Sequence, residues 1–155
     1  METELSKNNA DFGFARFIKE NLSLSETDIK TYSPLTLAFI GDSIFDLVIR
    51  TMVVENGNAP VNKLHQRCSK LVQASSQADL YHAIKEQLTE EELGIFKRGR
   101  NAKSFTSAKN AGVVEYRTAT GLEALMGYLY LTDQMKRLIE LMKPHVEKYI
   151  KIHNI

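Results

Sequence analysis

Cysteine is almost absent from this 155-residue chain, Cys68 being the single one. That excludes an intrachain disulfide framework and a cysteine-built zinc site, and it fits a reducing compartment. Proline and glycine are scarce, at three and eight residues, so little punctuates the chain. No window comes near the roughly 18 consecutive apolar residues that a membrane-spanning helix needs. The first thirty residues carry six acidic and four basic side chains without an apolar stretch, unlike a secretory or transit peptide. A soluble, cytoplasmic protein with no membrane partner is expected. With 43% hydrophobic and 25% charged residues, the composition excludes wholesale disorder and fibrous classes. The length suits one compact domain.

Acidic residues are missing from two windows. From Asn56 to Ala78 only Lys63, Arg67 and Lys70 are charged apart from histidine. From Lys97 to Val114 the charges are Lys97, Arg98, Arg100, Lys103 and Lys109. These windows hold eight of the twenty Lys and Arg residues, leaving twelve basic and nineteen acidic elsewhere. A net charge of only +1 therefore conceals a segregation that can present a cationic face to a polyanion. The alternative is ordinary solvated surface.

Strand-like alternation is nowhere sustained, so the chain reads as all-α. Asp11 to Glu20 forms a short amphipathic helix, followed by a polar linker through Asp28. Ser33-Pro34 reads as an N-cap with proline in the first turn, opening a helix to about Val54 that Asn56-Gly57-Asn58 stops. Asn62 could cap the next segment, and Lys63 to Lys85 reads as two helices with a break near Ala74. Thr89-Glu90-Glu91-Glu92 is a capping-box pattern, starting a helix that ends near Gly99. Ser104 to Ala111 is a loop or a short helical turn. Val114 to Leu131 and Asp133 to Ile152 complete the set, with a kink expected at Pro144. Residues 1–30 are read as an N-terminal extension and 31–152 as the main domain.

Two helices are unusual. Leu37 to Ile49, LAFIGDSIFDLVI, is apolar on nearly every face with Asp42 and Asp46 set into it. Leu122 to Leu131, LEALMGYLYL, has Glu123 as its only charge. Helices apolar all round are buried, and a buried carboxylate needs a cation, a donor or a solvent channel. Ala38, Gly41, Gly121, Ala124 and Gly127 lack bulk, which would let the two backbones approach and bring Asp42 near Glu123. The alternatives are an N-cap role for Asp42 and an internal ion pair of Glu123 with Arg117 or Arg98. Asp46 could be a second ligand on the same face, or a rim carboxylate.

LAFIGDSIFDL resembles the signature of the ribonuclease III domain, and ATGLEALMGYLYL resembles its second acidic motif. With RGRNAKS at Arg98 to Ser104 between them, the chain resembles the compact branch called Mini-ribonuclease III from about Pro34 to Met142. The resemblance implies a helical, single-domain, homodimeric endonuclease of double-stranded RNA, with no separate double-stranded-RNA-binding domain. Maturation of the ends of large-subunit (23S) ribosomal RNA precursor is the associated role. A ribosomal protein that shapes the substrate is left open as a partner. Asp42 and Glu123 match the family's two motif carboxylates, and both are implied to hold magnesium (Mg2+) and to be catalytic. Larger family members carry acids where this chain has Ala38 and Thr120. That leaves a second reading open, an RNA-binding or ribosome-associated protein that kept the fold and has little or no activity.

Magnesium is hard and keeps much of its water, so one or two carboxylates plus substrate phosphate can hold it. Histidines 65, 82, 145 and 153 show no ligand spacing, and Cys68 reads as a packing residue. Duplex RNA is contacted through phosphates and 2′-hydroxyls rather than its deep major groove. Lys97, Arg98, Arg100, Asn101, Lys103 and Lys109 are expected to grip one side of it. Lys63, Arg67 and Lys70 form one helical stripe that would meet a neighbouring phosphate run, or be a solvated face. Ile44, Phe45, Val48 and Met52 are candidate dimer-interface residues, with intradomain core as the alternative. A protein-interaction module binding an acidic partner is the remaining rival, and it leaves the two carboxylates unexplained.

Overall fold

The computed structural model describes residues 13–102 and 112–153. Seven α-helices are present among them: α1 Phe14–Asn21, α2 Pro34–Glu55, α3 Val61–Val72, α4 Ala74–Ile84, α5 Glu90–Asn101, α6 Gly112–Leu131 and α7 Met135–His153. Two short 3-10 turns, Ile29–Thr31 and Lys85–Gln87, join them, and no strand occurs among the described residues. No described helix is long and apolar enough to cross a membrane.

Local chemistry explains the boundaries. Ser33 accepts a hydrogen bond from the Thr36 amide at the start of α2, with Pro34 in the first turn. At α5 the expected capping box is complete: Thr89 Oγ1 accepts from the Glu92 amide, and the Glu92 carboxylate accepts from the Thr89 amide. The α3–α4 break falls at extended Gln73, one residue before the expected position. Two expectations need correction. Asn62 is not a cap, because α3 begins one residue before it, with Pro60 at the N-cap position. The last helix begins at Met135 rather than Asp133, because Asp133 takes a left-handed conformation (φ 58°) that closes the turn after α6. The polar linker ends at Asp28, as expected, and Asp28 caps the 3-10 turn that follows. The loop expected over Ser104 to Ala111 lies outside the described residues.

Helix α6 is the axis of the molecule, and α2, α4 and α5 pack around it. Leu122, Leu125, Met126 and Leu129 are fully buried, as are Phe45, Ile49, Ile84, Leu138 and Leu141 from its neighbours. Helix α1 docks into the same core through Ala15, and the Phe14 ring meets Tyr130 edge-on at 6.2 Å. Segment 14–21 is thus continuous with the main body.

Glycine sets the closest approach. A Cβ on Gly41 would lie 1.7 Å from the Glu123 carbonyl oxygen, and one on Gly127 would lie 1.9 Å from that of Leu37. Helices α2 and α6 therefore cross backbone to backbone, as their small residues imply. Gly121 serves a different contact. It faces Phe96 of α5, so it seats α5 rather than α2, while Ala124 faces Gly99 of α5 and also packs with Leu37 and Ala38 of α2.

Candidate active site

The crossing of α2 and α6 determines where the two motif carboxylates emerge. Asp42 follows the contact glycine Gly41 and lies in the interior of α2, which excludes the N-cap alternative. Its side chain is exposed, while Glu123 on α6 is half-buried. Burial pushes the Glu123 carboxyl up to about 8, and the charge of Asp42 adds to the rise. That coupling is the electrostatic sign that the two groups share one space. Among the described residues Glu123 makes no ion pair, neither with Arg117 nor with Arg98. Asp46 is committed elsewhere, accepting from Arg50 Nε at 2.8 Å one turn along α2.

Two oxygen-donor side chains that repel one another suit a hard divalent cation. No group of three or more His, Cys, Asp or Glu side chains that could hold a metal exists among the described residues. The donor set thus fits magnesium with water and phosphate completing its shell, and does not fit zinc. His65 and His82 are exposed, and buried His145 shares a hydrogen bond with the Leu71 carbonyl at 3.1 Å. The His153 side chain lies outside the described set. Cys68 is buried, and desolvation raises its thiol, so it stays protonated and packs. Ala38 is buried against Ile95 and Ala124, and Thr120 Oγ1 donates to the Tyr116 carbonyl at 3.0 Å.

The basic residues fall into two groups. Lys97 and Arg98 are exposed on α5, and Asn101, its last residue, accepts from Arg100 Nε at 3.2 Å. Arg100 also lies over the Phe96 ring, 5.7 Å from its centroid. Phe96 is fully buried and stacks on Tyr81 of α4 at 3.7 Å, so the ring wedges the basic end of α5 against α4 and α6. Lys103 and Lys109 lie outside the described residues. Lys63, Arg67 and Lys70 share helix α3, which packs on α2 and α4.

Of the candidate interface residues, Phe45 is fully buried in the core, its ring 6.3 Å from that of His145, so it cannot meet a partner. Ile44, Val48 and Met52 instead line an outer apolar groove of ≈ 610 Å³, together with Leu47, Phe14, Met135 and Ile139. Leu47, 51% exposed, is absent from the sequence-based set although it completes the helical repeat from Ile44 to Thr51.

A second missed cluster holds α5 in place. Arg137 of α7 donates twice to Glu92, at 2.8 and 2.9 Å, and once to the Gln87 carbonyl at 2.8 Å. The Arg137 hydrogen bonds hold the Glu92 carboxyl below its usual range. Acids in a first helical turn read as capping, and nothing local announces a partner 45 residues away.

Similarity to known proteins follows the same residues. The model of the Ribonuclease III domain family matches residues 35–134. The Mini-ribonuclease 3 of Clostridium tetani is 45% identical over 81% of this chain and 83% of its own. That of Enterococcus faecalis is 49% identical over 78% of this chain and 93% of its own. A crystal structure of a Fusobacterium nucleatum protein superposes with a TM-score of 0.72 at 33% identity, covering 79% of this chain and 99% of that one. Motif carboxylates, helical architecture and these relatives agree: the chain belongs to the ribonuclease III family, in its Mini-ribonuclease III branch.

Proposed function

We propose that this endoribonuclease cleaves double-stranded RNA with magnesium held by Asp42 and Glu123, acting as a homodimer. One observation carries the reading: a half-buried Glu123, raised to about 8 beside Asp42, has no ion-pair partner among the described residues. When bound, the cation supplies charge to the phosphoryl oxygens and lowers the pKa of the attacking water. Asp42, open to solvent, faces the scissile phosphate, and Glu123 behind it fixes the position of the pair. Lys97 and Arg98 hold flanking phosphates, and Arg100 extends the grip from its seat on Phe96. Water adds to phosphorus, the bond to the 3′ oxygen breaks, and the departing oxygen takes a proton, leaving 5′-phosphate and 3′-hydroxyl ends.

The apolar groove supports the dimer. A twofold pairing across Ile44, Leu47, Val48 and Met52 would cover it and supply two carboxylate pairs for two strands. The family resemblance points to large-subunit ribosomal RNA precursor as substrate, with a ribosomal protein shaping it as a further partner.

Asp42→Asn tests the reading. It is expected to abolish magnesium-dependent cleavage of a hairpin RNA while the circular dichroism spectrum and RNA affinity hold. Wild-type turnover by the purified variant would refute the assignment. Sequencing the ends released from precursor ribosomal RNA tests the substrate.

A further inference from the structure

A second cavity, ≈ 280 Å³, opens between α5, the start of α2 and the segment that leads into it. Its floor includes Leu37 and Ile95, and Leu37, Ile95, Ala38 and Ala124 form one buried cluster. Ala38 lies one helical turn before Asp42, and Ala124 adjoins Glu123 in the chain, so the cluster beneath the cavity joins the two helices that carry the motif carboxylates. Its polar lining is of three kinds. Lys30 and Arg98 are exposed cations that make no ion pair among the described residues. Tyr32 and Tyr128 are half-buried rings. Glu91 is the only acid in the lining, and it accepts from the Tyr128 hydroxyl at 2.6 Å.

We propose that this cavity binds an unpaired ribonucleotide of the RNA substrate, next to the cleavage site. Cations suit a phosphate, tyrosine faces suit a base, and a carboxylate oxygen suits a 2′-hydroxyl or an exocyclic amine. A space of ≈ 280 Å³ is on the scale of one nucleoside. A fully paired duplex offers no free base face, so the cavity acts where the helix is interrupted by a bulge or ends in an overhang. It would make the enzyme sensitive to irregularity beside the scissile bond. This rests on the duplex-cleaving reading above, and one arm of the test does not.

That arm is binding of adenosine 5′-monophosphate to the full-length protein in chelator, followed by NMR line shifts, where magnesium cannot bridge the nucleotide to Asp42 and Glu123. The wild type should bind it, 2′-deoxyadenosine 5′-monophosphate more weakly, and Lys30→Glu and Tyr32→Ala each about tenfold more weakly than the wild type. Lys30 is exposed, so its variant leaves packing untouched if Tyr32→Ala fails to fold. The second arm is cleavage of a hairpin with and without one bulged nucleotide beside the cut. Both variants should cut the fully paired hairpin as the wild type does and lose about tenfold on the bulged one. No binding by the wild type, or unchanged binding by Lys30→Glu, overturns the proposal. So does nucleotide binding without any effect on the bulged hairpin, which would make the ligand a free nucleotide. Failure of the wild type to cut either hairpin sinks the cleavage reading instead, and leaves the binding arm to report on the cavity.

Discussion

Glu123 is a residue kept at a cost to stability. Its carboxyl is raised to about 8 in the metal-free protein, so the folded chain holds a proton that the unfolded chain releases near pH 4.5. Between those values folding is linked to proton uptake, and stability falls as pH rises. Glu123→Gln removes the charge that burial and Asp42 disfavour. Metal-free Glu123→Gln is therefore expected to melt a few degrees above the wild type at pH 9 and level with it at pH 5, while cleavage is lost. A melting temperature that follows the wild type across the whole range would show that the carboxyl ionises freely. Glu92 has the opposite sign. Its carboxyl is held low by Arg137, so the contribution of this pair is present above about pH 4.5 and fades as the pH drops through the lower folded value. Arg137→Met leaves a carboxylate that is 5% exposed without its main partner and should cost about 2–3 kcal/mol in urea unfolding at pH 7. That cost should shrink at pH 3.5.

At the scale of elements, the α2–α6 crossing decides whether the two carboxylates share a space. Two glycines permit it, and neither is used for a turn or a positive φ. Gly41→Ala would set a methyl carbon into the Glu123 carbonyl, and the helices must separate to relieve the contact. Expected are a loss of about 3 kcal/mol in stability and a drop in cleavage larger than that loss explains. Alanine is the better helix former, so a stabilised variant would mean that the approach is looser than described. Helix α5 is held at both ends by different physics. Arg137 secures its first turn, and the Phe96 wedge seats its last one. Lys97, Arg98 and Arg100, which follow Phe96 at the end of the helix, inherit a defined direction.

For the whole molecule, the unresolved polarity is on the outside of α2. A helix that is apolar nearly all round has one face in the core and another in a groove lined by Leu47 and Val48. Exposed apolar surface of this kind marks contact with another molecule. On the proposed homodimer, Leu47→Glu should leave the fold intact and shift the protein to a monomer in sedimentation at low micromolar concentration, with cleavage falling alongside. A variant that sediments as the wild type would remove this face from the interface.

Much of this was legible without coordinates. Helix boundaries followed from caps that act within four residues, as at Ser33 and Thr89, and the two motif acids stood out because charge is improbable inside apolar helices. Small residues marked the tight crossing for the same local reason. What required the tertiary structure was the allocation of those features among neighbours. Gly41 and Gly127 serve α2 against α6, whereas Gly121 serves Phe96; Phe45 faces inward although Ile44 and Val48 line the groove; Arg137 reaches Glu92 across 45 residues. One-dimensional order encodes which side chains need a partner. Which partner they receive depends on how the helices are rotated and how closely they approach, and that emerges only when all of them bury their apolar faces together.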